Sequence, residues 1–173
     1  MKSESAAARR LPQTAQHKAA MGKPSCSTTS KAGADLWRLI RNDSGSVLAV
    51  CPLAEDLAAL RRILGRTRWN TREADSCREA CTKIVEAPPD VILCDDHLPD
   101  GDWTKLLAEV SDSANHPSLI VASRLAEDGM WAEVLNLGAY DLLVKPFEAM
   151  EVYRVLGTAL QRRRQRRCPA VGA

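Results

Sequence analysis

The reactive side chains of this sequence gather at the ends of three apolar runs. Val91 to Cys94 leads directly into Asp95 and Asp96, and a proline–glycine turn follows at Pro99-Asp100-Gly101. Ser123 closes the run Leu119 to Ala122, and Lys145-Pro146 closes Leu142 to Val144. A carboxylate at the carboxyl end of a buried strand sits where open α/β sheets bind ligands. An Asp, a hydroxyl and an ammonium at three successive strand ends could take up and hold a phosphoryl group. The carboxylate can attack phosphorus, and the ammonium pairs first with the acceptor and then with a phosphoryl oxygen. Each residue also has a plainer use. Strand-end carboxylates cap helices, a Ser after a strand commonly serves a turn, and a Lys before a turn is commonly exposed.

To bring these ends together the chain must alternate strands and helices. Val47 to Val50 reads as a short strand buried on both faces. Glu55 to Leu64 carries Leu57, Leu60 and Leu64 at helical spacing, with Gly65 as a stop. Arg68 to Glu73 is a weak second strand, and Asp75 or Ser76 caps a helix to about Glu86, ended by Pro88-Pro89. Val91 to Cys94 is the third strand and Trp103 to Val110 the third helix. Leu119 to Ala122, Glu127 to Leu137 with Gly138 beyond it, Tyr140 to Val144, and Ala149 to about Arg164 complete the series. The expected fold class is α/β, a doubly wound five-stranded parallel sheet in the flavodoxin-like order 2-1-3-4-5. In that order Cys51, Asp95, Ser123 and Lys145 share one rim.

Composition narrows the function. Of the 173 residues, 1–45 hold eight Lys/Arg against three Asp/Glu, and 46–161 hold eleven against nineteen. The run Arg162 to Arg167 adds five more arginines. An acidic centre with basic ends favours bound cations over a nucleic-acid surface, and too few residues follow the arginine run for a helix-turn-helix. The six cysteines form no Cys-x-x-Cys pair, which argues against a structural zinc site and for reduced thiols in the cytoplasm. No run of 18 apolar residues exists to cross a membrane. The N-terminus is basic but has no apolar core of a secretion signal. Residues 1–45 read as a disordered basic extension, with a short amphipathic piece at Ala34 to Arg41. Residues 46–161 form the domain and 162–173 a basic tail.

With Asp95, Ser123 and Lys145-Pro146-Phe147 in register, the chain resembles the receiver domains of two-component response regulators from about residue 46 to 160. The resemblance implies that Asp95, four residues before Pro99, is the phosphoacceptor. It implies that Ser123 and Lys145 contact the phosphoryl group, and that the Lys145-Pro146 peptide is cis. It also implies Mg²⁺ held by acidic residues after the first strand, by Asp95, and by a backbone carbonyl, here that of His97. At two places the sequence departs from the pattern. Cys51-Pro52 stand where the acidic pair belongs, and Leu142 stands where an aromatic switch residue belongs, with Tyr140 two residues earlier. A thiol is a soft ligand and a poor exchange for carboxylate, so Mg²⁺ should bind weakly unless Glu55 or Asp56 swings in.

The resemblance implies a stand-alone signalling module and not an enzyme. It would accept phosphate on Asp95 from a histidine kinase or phosphotransfer protein, and change its affinity for a downstream partner protein. Homodimer formation is open to it. The alternative is a degenerate pseudo-receiver that binds partners without phosphorylation. A nucleotide-binding enzyme on the same fold lacks the glycine-rich loop it would need after the first strand.

Overall fold

The computed structural model describes residues 44–111, 115–125 and 128–167. The expected extension 1–45, including the piece at 34–41, lies outside these residues except for 44 and 45, as does the end of the expected tail, 168–173. Four strands form where short aliphatic runs can be buried, and the polar run Asn70–Ala74 adds a strand at the sheet edge. These are β1 (Ser46–Val50), β2 (Asn70–Ala74), β3 (Val91–Asp95), β6 (Ser118–Ser123) and β7 (Asp141–Val144). The helices are α1 (Ala54–Leu64), α2 (Cys77–Glu86), α3 (Trp103–Ser111), α4 (Asp128–Leu137) and α5 (Ala149–Arg167). The five strands pair in parallel in the order β2-β1-β3-β6-β7, the expected 2-1-3-4-5 arrangement.

Successive strand residues face opposite sides of the sheet, which splits the core in two. Val47, Ala49, Leu93, Ile120 and Leu143 pack under α1 and α5. Leu48, Val50, Ile92, Cys94, Val121 and Leu142 pack under α2, α3 and α4. The central strand β3 is buried along its whole length, which excludes water from the backbone that carries Asp95.

Element boundaries shift by a residue or two, with identifiable causes. β2 begins at Asn70 and not Arg68, because Thr67 turns back on α1 through its amide and hydroxyl to the Leu64 carbonyl, and Trp69 packs into the core. Ser76 caps α2, its hydroxyl accepting from the Glu79 amide. The turn after Asp96 is a small antiparallel hairpin, β4 (His97–Leu98) with β5 (Gly101–Asp102). At its tip the Asp100 carboxylate accepts the Cys77 and Arg78 amides at 2.7 and 2.9 Å, and so closes the N-terminus of α2 from outside. α5 runs on through the arginine series. Arg163 is buried and bonded to Asp90 and to the Pro89 carbonyl, so this member packs beneath the sheet and not in solvent.

Gly138 follows α4 with φ +107°, and the Gly138 and Ala139 amides satisfy the Leu135 and Val134 carbonyls. A Cβ there would meet nothing within 4 Å, so Gly138→Ala isolates the backbone cost. The variant should lose roughly 1–3 kcal/mol, read as a lower urea midpoint with an unchanged slope.

Candidate functional site

The carboxyl ends of β1, β3, β6 and β7 lie side by side, as parallel pairing requires, and deliver Cys51, Asp95, Ser123 and Lys145 to one rim. Lys145, 7% exposed, sets its Nζ 2.5 Å from Asp95 Oδ1. The same nitrogen lies 2.9 Å from Asp56 Oδ2 and 3.8 Å from Cys51 Sγ. Cys51 donates its S–H to Asp95 Oδ1 at 3.0 Å. The Lys145-Pro146 peptide is cis.

Asp56 reaches this centre from the first turn of α1. An acid near a helix N-terminus is favourable for its own reasons, but this carboxylate is buried, 6% exposed, and turned to the rim. Arg124, immediately after Ser123, holds it from the other side at 3.2 Å and also pairs with Glu55 at 2.8 Å. Of the two acids that could replace the missing pair, Asp56 therefore stands in the cluster and Glu55 stands at the exposed edge with Arg124. Arg124 was absent from the sequence reading. Its only signal there was its place directly after the strand-end hydroxyl.

Ser123 is fully buried at the same rim, yet its hydroxyl donates to Asp96 Oδ2 at 2.6 Å and not to Asp95. It also accepts the Leu125 amide at 3.0 Å. Asp96 thus ties the β6 end to β3, and its second oxygen accepts the His97 amide. The His97 side chain is exposed and the residue opens β4 directly beyond the two carboxylates. Pro52, next to Cys51, precedes α1 and offers no polar side chain. Leu142 packs beneath α4 in one half of the core, whereas Tyr140 packs in the other half with Arg162 over its ring at 5.4 Å. The two residues face opposite sides of the sheet, so Tyr140 does not take the place of the absent aromatic residue.

Burial sets the charges here. Desolvation raises the Asp95 pKa, and the hydrogen bonds from Cys51 and Lys145 offset only part of that rise. For Lys145 burial acts downward, but the bonds to Asp95 and Asp56 outweigh it and hold the ammonium above its ordinary value. Burial, reinforced by the bond to Asp95, pushes the Cys51 thiol up to about 12. The centre is thus a thiol and two acidic side chains around one buried ammonium.

The Cys51 sulfur and one oxygen each from Asp56 and Asp95 lie within 4.8 Å of one another. This donor set does not suit Mg²⁺, which prefers six oxygens in near-octahedral array. One of the three buried donors is sulfur, and an ammonium already bonds both carboxylates.

A family model described as the response regulator receiver domain matches residues 54–156. The chemotaxis protein CheY of Listeria monocytogenes is 32% identical over 87 residues, half of this chain and 73% of that protein. The transcriptional regulatory protein KdpE of Staphylococcus aureus is 34% identical over 84 residues, 49% of this chain and 36% of that protein. Among solved structures, a putative response regulator from Chloroflexus aurantiacus superposes with a TM-score of 0.64 at 24% identity, covering 69% of this chain and 99% of that one.

Proposed function

The chain belongs to the response regulator receiver domain family of two-component signalling, and we propose that within it Asp95 is a working phosphoacceptor. The donor would be a phosphohistidine on a histidine kinase or phosphotransfer protein, which places the protein in the cytoplasm. An Asp95 oxygen attacks phosphorus, the P–N bond breaks, and its electron pair leaves on the imidazole nitrogen. The product is an acyl phosphate on β3. The contact that carries this reading is Lys145 Nζ at 2.5 Å from Asp95 Oδ1, both side chains being nearly buried. That ammonium opposes the rise that burial gives the Asp95 pKa and then faces the phosphoryl oxygens, whose charge must be neutralised for transfer. Ser123 would exchange Asp96 for a phosphoryl oxygen, which loosens the segment after β6 and alters the hold on a partner protein.

One observation favours the rival reading, a phosphorylation-independent interaction module. Cys51 and Lys145 both bond Oδ1 of Asp95, so that oxygen is already satisfied, and Leu142 cannot relay a change as an aromatic ring would. Backbone amide spectra of the full chain separate the two. Addition of a small acyl phosphate should shift the Asp95, Asp96, Ser123 and Lys145 amides together with those that follow Ser123. Unchanged spectra at saturating donor would contradict the phosphoacceptor and leave the interaction module.

A further inference from the structure

An incoming phosphoryl group brings negative charge that must be neutralised for transfer, and the donors at this rim do not suit Mg²⁺. We propose that Arg124 supplies the missing charge: its guanidinium binds the phosphoryl oxygens beside Lys145, and Asp95 is phosphorylated without a divalent cation. This rests on Asp95 as the phosphoacceptor and names a further residue for that reaction.

Side-chain alternation along the strands brings this residue to the acceptor. Asp95 leaves β3 on the side of Leu93, and Lys145 follows β7 on the side of Leu143, both of which pack with α1 and α5. Ser123 alternates to the other side with Val121, where its hydroxyl bonds Asp96. Arg124 returns to the α1 side, as its bonds to Asp56 and Glu55 show. Asp56 links the two cations. Its Oδ2 lies 2.9 Å from Lys145 Nζ and its Oδ1 3.2 Å from an Arg124 Nη2. Asp56, Lys145 and Arg124, with Glu55, Ala59 and Pro146, wall one open cavity of about 420 Å³. The Arg124 side chain is 46% exposed and that of Lys145 nearly buried, so the guanidinium stands on the solvent side, where a phosphoryl donor arrives.

Arg124 can be released from part of its present hold. The Glu55 side chain is 75% exposed, and an exposed ion pair is weak. The guanidinium can leave Glu55 for a phosphoryl group and keep Asp56. Its planar fork of donors matches two phosphoryl oxygens at once, which an ammonium cannot do. With a small acyl phosphate as donor, an Asp95 oxygen attacks phosphorus and the donor's P–O bond breaks. The electron pair of that bond leaves on the donor's carboxylate, while Arg124 and Lys145 neutralise the oxygens of the phosphoryl group in transit.

The test is the initial rate at which the full chain gains a phosphoryl group from a small acyl phosphate, followed by intact mass. It is run in excess chelator and again with Mg²⁺. The natural chain should react at the same rate in both. Arg124→Gln should lower that rate by roughly 10²–10³-fold, the range for loss of one preorganised donor to a developing charge. Arg124→Lys should recover part of the loss, since it restores the charge and not the fork. Added guanidinium ion, well below denaturing concentration, should speed Arg124→Ala and not the natural chain, a rescue that a merely structural role would not give. Glu55→Gln should not slow transfer, because it frees the guanidinium from a competitor. Circular dichroism checks each fold. A natural rate that needs Mg²⁺, an Arg124→Gln rate equal to the natural one, or a Glu55→Gln loss as large as that of Arg124→Gln would overturn this proposal and leave Asp95 as the acceptor. No phosphoryl gain by the natural chain in either condition would overturn both.

Discussion

Lys145→Met should destabilise the protein by roughly 3–5 kcal/mol at neutral pH, the range for stripping one partner from a buried ion pair. The variant keeps the stem of the side chain and removes the cation that, among the described residues, touches both Asp56 and Asp95. Two carboxylates would then share a buried site, and one must take up a proton. The deficit should therefore shrink as pH falls. The natural protein carries the opposite dependence. The folded Lys145 pKa lies above 10.5, so its contribution is complete below that value and fades only as pH rises through the folded pKa. Asp56→Asn in the Lys145→Met background should recover much of the loss, because the neighbouring charges act as a unit and their effects are not additive. Urea midpoints of the natural, single and double variants check this. A Lys145→Met protein of natural stability would mean that the ammonium does not hold the site together.

Asp95→Asn should abolish phosphorylation and leave the fold intact. The amide has nearly the shape of the carboxylate, keeps an oxygen to accept from Cys51, and has no nucleophilic oxyanion. Stability should be unchanged or slightly higher, since burial already raises the Asp95 pKa and a neutral group escapes that desolvation cost. Lys145 retains Asp56 as its partner in the variant. The two readouts are phosphoryl incorporation and thermal midpoint. Persistent incorporation would move the acceptor elsewhere, with Asp96 the first suspect.

The fold was legible because its central strands are buried on both faces. Runs such as Val91 to Cys94 and Leu119 to Val121 carry no polar residue, and the alternation with amphipathic helices leaves few topologies open. β2 was read with the wrong limits because an edge strand, here Asn70–Ala74, bears mostly polar residues. The β4–β5 hairpin has two residues per strand, too few for any periodicity to register. Arg163 was read as part of a solvated charge run because composition cannot show which member of the run meets Asp90.

At the site, strand order alone was enough to bring Asp95 and Lys145 together. The choice between Glu55 and Asp56 was not available from sequence. Both lie in the first turn of α1, and only the helix's rotation, about 100° per residue, decides which one meets Lys145. The Ser123 partner was also hidden, because Asp95 and Asp96 are adjacent and their side chains leave the strand in opposite directions.

The account turns on Asp95 as a phosphoacceptor, and the direct measurement is the position of the acyl phosphate. The natural protein is incubated with a small acyl phosphate donor and then with hydroxylamine, which converts an aspartyl phosphate into a stable hydroxamate, and the peptides are mapped by mass. The account predicts a hydroxamate on Asp95, absent from the Asp95→Asn variant. A hydroxamate on Asp96 or Asp56, or none on any residue after exhaustive treatment, would contradict it.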